Sequence, residues 1–122
     1  MREIKFRAWD KELKVMYNVF GIDVNHVTPF IDREGIPIGP TREQTVLMQY
    51  TGIKDVKGKE IYEGDIVLYN DYTGYTGFIY YDEAETSYMI KPIGEGEYNV
   101  LGLTCSITVI GNKFENPELL EV

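Results

Sequence analysis

Residues 47–67, LMQYTGIKDVKGKEIYEGDIV, constrain the fold of this chain more than any other stretch. Apolar β-formers stand at both ends, and two turn signals lie between them. Asp55-Val56-Lys57-Gly58-Lys59 reads as a turn in which Gly58 supplies the positive φ that other residues resist. Glu63-Gly64-Asp65 reads as a second turn. Upstream, residues 45–50 have strand character, and Thr51-Gly52 is expected to break that strand. Glu60-Ile61-Tyr62 is short and extended, and residues 66–69 begin another strand.

The same alternation of short strands and turns continues on both sides. Ile4, Phe6 and Ala8 alternate with Lys5 and Arg7, the period of two that marks a half-buried strand. Residues 10–14 form a polar turn and residues 15–20 are rich in β-formers, so residues 3–9 and 15–20 are expected to pair as a hairpin. Residues 70–76 read as a glycine-containing hairpin tip. Residues 77–82 and 87–91 read as strands around a turn at 83–86. After a break at 92–97, residues 100–103 and 106–110 are expected as the last strands. Asn116-Pro117-Glu118 is a helix start: asparagine caps free amides, proline fits the first helical position and glutamate suits the positive end. One turn follows, with Leu119 and Leu120 expected to pack against one end of the barrel. Residues 21–45 differ from all of this. Pro29, Pro37 and Pro40, interspersed with Gly35 and Gly39, exclude a long helix and leave an irregular segment with short strands near Val27 or residues 36–38. Many short strands at this spacing indicate an all-β barrel or sandwich.

At 122 residues the chain fits a single domain. Its expected parts are an N-terminal hairpin (1–20), the irregular segment (21–45) and a barrel-like core (46–122). No apolar run is long enough to span a membrane, and no secretion leader is visible at the N-terminus. Cys105 is the only cysteine, so an intramolecular disulfide is impossible and a reducing, cytoplasmic setting is the default. The net charge of −8 is unevenly spread: residues 1–59 sum to +2 and residues 60–122 to −10. An acidic half repels nucleic acid and membrane phosphates and attracts basic partners, including the basic edge of another copy.

No catalytic constellation is recognisable. Cys105 lies in a β-like run, where a buried structural thiol is expected, and His26 opens the irregular segment. The carboxylates near residues 60–65, 82–85 and 95–97 lack the spacing of an EF-hand loop. No GxGxxG, Walker A or HExxH pattern occurs. Neither enzyme activity nor a metal or other cofactor is therefore expected.

Three blocks of the chain resemble the YopX family, small proteins encoded by phages and prophages. They are Arg2-Glu3-Ile4-Lys5-Phe6-Arg7-Ala8-Trp9-Asp10, the stretch 47–67, and the closing residues 109–120, VIGNKFENPELL. They occur in family order and cover both ends and the middle. The resemblance implies a largely β fold with an SH3-like barrel, which agrees with the all-β reading of the residue pattern, with its N-terminal hairpin, irregular segment and one-turn C-terminal helix. It brings no established activity. Gly52, Gly58, Gly64, Asp65, Asn116 and Pro117 read as determinants of that fold, as does Trp9.

Two surfaces are candidates for function. Ten tyrosines are present, and Tyr72 and Tyr75 flank Gly74 on the expected tip, where exposed aromatics offer contact area at low entropic cost. Lys5, Arg7 and Trp9 share the outward face of the first strand, with Arg2 nearby. The leading expectation is a non-catalytic β domain that binds a phage or host protein, or itself as a homo-oligomer. Enzymatic activity of an unknown type is a third class of reading. The alternative is nucleic-acid binding through Arg2, Lys5, Arg7 and Trp9, which the negative charge disfavours. That alternative makes a definite prediction: Lys5→Ala and Arg7→Ala each weaken binding uniformly across sequences, and binding falls steeply as salt rises. Absence of a mobility shift with DNA or RNA at low salt removes it.

Overall fold

Where a β-strand ends, its next backbone amides lose their partner strand, and a buried amide without an acceptor is costly. Four times among the described residues an Asp or Asn side chain supplies that acceptor. Asp10 Oδ1 accepts from the amides of Glu12 (2.9 Å) and Leu13 (3.0 Å). Asp82 Oδ1 does the same for Ala84 and Glu85, and Asn112 Oδ1 for Phe114 and Glu115. Asp55 Oδ1 accepts from Lys57 and Lys59, both at 2.9 Å. After Asp10 and Asp82 the chain re-enters a strand through a residue of positive φ, Lys14 at 58° and Thr86 at 50°.

The computed structural model describes residues 3–19, 21–22, 27–28, 30–31, 37–38, 44–69, 74–103 and 106–121. These are strands, turns and short 3-10 segments, so the fold is all-β. The chain divides into two compact units, Glu3–Gln49 and Tyr50–Val122.

In the first unit, β1 (Phe6–Asp10) pairs antiparallel with β2 (Val15–Asn18), with Ala8 opposite Tyr17. The expected hairpin is present. On its other side β1 pairs with the first half of β7 (Thr45–Lys54), with Phe6 opposite Gln49 and Asp10 opposite Thr45. Between β2 and β7, β3 (Gly21–Ile22) pairs with β4 (Val27–Thr28), and β5 (Phe30–Ile31) with β6 (Pro37–Ile38). The alternation read from the sequence fails at the end of β1. Ala8, Trp9 and Asp10 are all buried, with Trp9 only 7% exposed, so both faces of the strand are covered there.

The second unit begins inside β7. Thr51-Gly52 does not end this strand as expected. Tyr50 lies opposite Tyr62 and Lys54 opposite Glu60 on β8 (Glu60–Tyr62), so three residues of β7 face one of β8 in a bulge. Gly52 takes a φ of 86° there, and the Thr51 hydroxyl donates to the Ile61 carbonyl at 2.8 Å. The bulge satisfies the backbone locally, which lets the strand continue to Lys54.

Five further strands follow: β9 (Asp65–Tyr69), β10 (Tyr75–Asp82), β11 (Ser87–Pro92), β12 (Asn99–Val100) and β13 (Thr108–Asn112). They form an antiparallel sheet in the order β12-β11-β10-β9-β13. One face carries the core of Ile61, Val67, Tyr69, Ile79, Ile90, Leu101 and Ile107. Each such side chain contributes about 1.5–3 kcal/mol by leaving water. The layer is tight at Gly77, where a Cβ would lie 2.6 Å from Ile90 Cγ2 and 2.8 Å from the Lys91 carbonyl. The turn into β9 is formed as expected. Buried Gly64 has a φ of 85°, and Asp65 Oδ2 accepts the Tyr62 amide at 2.8 Å.

The C-terminal elements differ in detail from the sequence expectation. Residues 101–103 form a 3-10 turn that inserts Leu101 into the core, and only Asn99 and Val100 pair as a strand. Asn116 does not cap the last helix. Its Oδ1 accepts the amide of Asn112 at 3.1 Å, behind it in the chain, which closes the turn after β13. Pro117–Leu120 still forms one 3-10 turn with proline at its start, and Leu119 and Leu120 are half-buried.

The Asp55 turn joins the start of this unit to its end. Besides the two bonds within the turn, Asp55 Oδ2 accepts the amide of Val109 at 3.0 Å, and the Val56 amide donates to Ile107 at 3.0 Å. Burial alone would raise the Asp55 pKa. The hydrogen bonds from Val109, Lys59 and Lys57, aided by the Lys59 charge, outweigh that and hold it below the ordinary value.

Asp55 and Gly77 each give an expectation that denaturation can check. Asp55→Ala removes three hydrogen bonds to a charged acceptor and should lower stability by about 3 kcal/mol in urea denaturation. Because the folded pKa is depressed, the carboxylate's contribution is fully present above the unfolded pKa and is lost as pH falls through the folded one. Acid titration of stability should therefore flatten in Asp55→Asn. Gly77→Ala should cost about 1–3 kcal/mol through overpacking, whereas Gly102→Ala, whose Cβ meets nothing nearer than 3.9 Å, should be within about 0.5 kcal/mol of wild type.

Candidate protein-recognition face

The second face of the five-stranded sheet is set by strand register. Phe78 lies opposite Ile66 and Lys91, Tyr80 opposite Met89, and Leu68 opposite Thr76 and Thr108. Met89 lies opposite Val100, and Tyr98, just before β12, stands near Tyr80. Ile66 and Met89 are buried in this face, but Leu68 is 37% and Tyr98 56% exposed, and Phe78 and Tyr80 are half-buried. The Phe78 and Tyr80 rings are 6.1 Å apart, and Lys91 Nζ lies 5.8 Å from the Phe78 centroid. Large apolar rings thus remain in contact with water on a rigid sheet.

Carboxylates border the rings. The Tyr80 hydroxyl pKa is raised by burial first, then by the charge of Asp82, the nearby Tyr98, a hydrogen bond with Asp82, and the charge of Glu85. Asp82 and Glu85 thus place negative charge at the Tyr80 end of the face. Such a surface suits recognition: tyrosine offers a large, stiff contact area with a polar end, and the carboxylates favour cations.

The residues singled out from the sequence are placed as follows. Arg2 and Tyr72, together with His26 and Cys105, lie outside the described residues. Lys5 is half-exposed and paired with Glu3 at 3.1 Å. Arg7 is half-buried and takes part in further interactions. Trp9 is buried, so it does not stand beside Lys5 and Arg7 on an open face as the alternation suggested. Tyr75 is the first residue of β10, and its ring packs 6.0 Å from Tyr69 at the margin of the core instead of projecting from a tip. Of the described residues among these, Tyr75 belongs to the five-stranded sheet, where it lies on the core side with Gly77 and Ile79. Among the described residues no group of three His, Cys, Asp or Glu is placed to hold a metal ion, and no helix is long and apolar enough to cross a membrane.

Comparison with known proteins sets this geometry in a family. Among solved structures, the chain is similar to protein EF1440 from Enterococcus faecalis, with 26% sequence identity and a TM-score of 0.67, over 99% of this chain and 100% of that one. No curated protein matches. The family model of the YopX protein matches residues 5–121, nearly the whole length, and the chain therefore belongs to the YopX family.

Proposed function

We propose that this protein is a non-catalytic accessory protein of a phage or prophage, working in the cytoplasm of a bacterial host. Its task on this reading is to bind another protein through Leu68, Phe78, Tyr80 and Tyr98. The observation that carries the reading is the exposure of Leu68 (37%) on the sheet face of the Phe78 and Tyr80 rings, and of Tyr98 (56%) near Tyr80. Exposed aromatic surface on a rigid sheet is what hot-spot contacts are made from. The fold is read as SH3-like, in keeping with its short antiparallel strands, of which β9 to β12 pair consecutively, and the Gly64-Asp65 turn that opens β9. Nucleic-acid binding is the weaker reading, because burial of Trp9 removes its stacking platform and the net charge is −8.

The test is affinity capture from a bacterial lysate treated with nuclease, comparing wild type with Leu68→Glu and Tyr98→Ala. A protein captured by wild type and lost from both variants is the expected result. Equal capture by all three, or capture that nuclease abolishes, overturns the reading.

A further inference from the structure

The second unit carries a concentrated source of positive charge of its own. Its five cations are Lys54, Lys57, Lys59, Lys91 and Lys113. Lys91 and Lys113 are each held over a ring, at 5.8 Å from Phe78 and 5.1 Å from Phe114. The other three crowd the Asp55 turn with exposed side chains, around a Val56 that is 64% exposed. That turn is held firmly: the Lys57 and Lys59 amides donate to the Asp55 carboxylate, the Val56 amide donates to the Ile107 carbonyl, and the Asp55 carboxylate accepts the Val109 amide. It is a rigid basic tip with an apolar centre.

Register places this tip far from the anionic border of the aromatic face. Val56 is bonded to Ile107, one residue before β13, and Thr108 lies opposite Leu68, which lies opposite Thr76. The turn is therefore level with Tyr75, at one end of β10, while Asp82 is at the other. Tyr80 lies five residues along β10 from that level, roughly 17 Å at 3.4 Å per residue. A lysine side chain does not bridge that distance within one copy.

We propose that the aromatic face is occupied by the 54–59 turn of a second copy of this chain. This rests on the protein-binding reading and names its partner. Val56 seats against the exposed Tyr98, and the lysine ammonium groups meet the ring of Tyr80 and the carboxylates of Asp82 and Glu85. The two surfaces are different, so the contact is heterologous. Each copy keeps one free tip and one free face, and copies add head to tail into a ring or an open chain.

Sedimentation velocity tests this with two variants. Lys57→Glu alters an exposed side chain and keeps the backbone amide that Asp55 needs. Tyr98→Ala/Glu85→Lys alters the face. The wild type should sediment above its 14.1 kDa chain mass at low salt and dissociate as salt rises. Each variant alone should remain at 14.1 kDa, and an equimolar mixture should stop at twice that mass, because one intact tip meets one intact face. A wild type that stays monomeric at every concentration and salt, assembly unchanged by both variants, or a mixture that forms no dimer overturns the proposal. If the wild type is monomeric but Tyr98→Ala still loses a captured protein, only the self-pairing falls; if capture is also unaffected, the binding reading falls with it.

Discussion

The fold depends on side-chain oxygens that give strand-terminal amides an acceptor. Asp10, Asp55, Asp82 and Asn112 each place a side-chain oxygen under the turn that follows. Three of them act over two to three residues, and these turns are local. Asp55 differs because its second oxygen reaches the Val109 amide across the sequence. That bond fixes β13 against the β7–β8 turn, and β13 in turn lies beside β9, whose Val67 and Tyr69 belong to the core. Burial opposes the charge on this carboxylate and the backbone donors overcome it. One ionised group thereby links a surface turn to the closing strand.

Legibility in the sequence followed the range of the interaction. Turns at residues 55–59 and 63–65 were readable because Gly58, Gly64 and the neighbouring Asp side chains act within a few residues. The bulge at Thr51-Gly52 was not, because it exists only relative to the pairing with β8. Trp9 was misplaced for a similar reason: a period of two presumes one wet face, and this end of β1 has none. The Asn116 signal was correctly located and wrongly assigned, since its oxygen closes the turn behind it instead of capping the helix ahead. The aromatic face was hidden because Thr76, Phe78 and Tyr80 alternate with Gly77, Ile79 and Tyr81, so both faces of β10 look equally apolar. Only register and exposure separate them.

Family membership supplies a fold without a chemistry, and function resides in particular surfaces. In this chain the distinctive surface pairs exposed rings with a carboxylate border, and the distinctive protrusion gathers lysines around a valine. The net charge of −8 conceals both, since it averages a basic tip into a larger acidic background. Charge arrangement is more informative here than charge total.

The bond from Val109 to Asp55 also bears on how the second unit is made. The two residues are 54 positions apart, so the turn stays incomplete until the later strand arrives. Contacts of such separation must overcome loop-closure entropy before they return any stabilisation, which slows folding. On the ribosome, residues 50–69 emerge with their edge unsatisfied and their Ile61, Val67 and Tyr69 side chains awaiting Ile79, Ile90, Leu101 and Ile107. The core of this unit is therefore complete only once residues 101–109 are available to join residues 61–90.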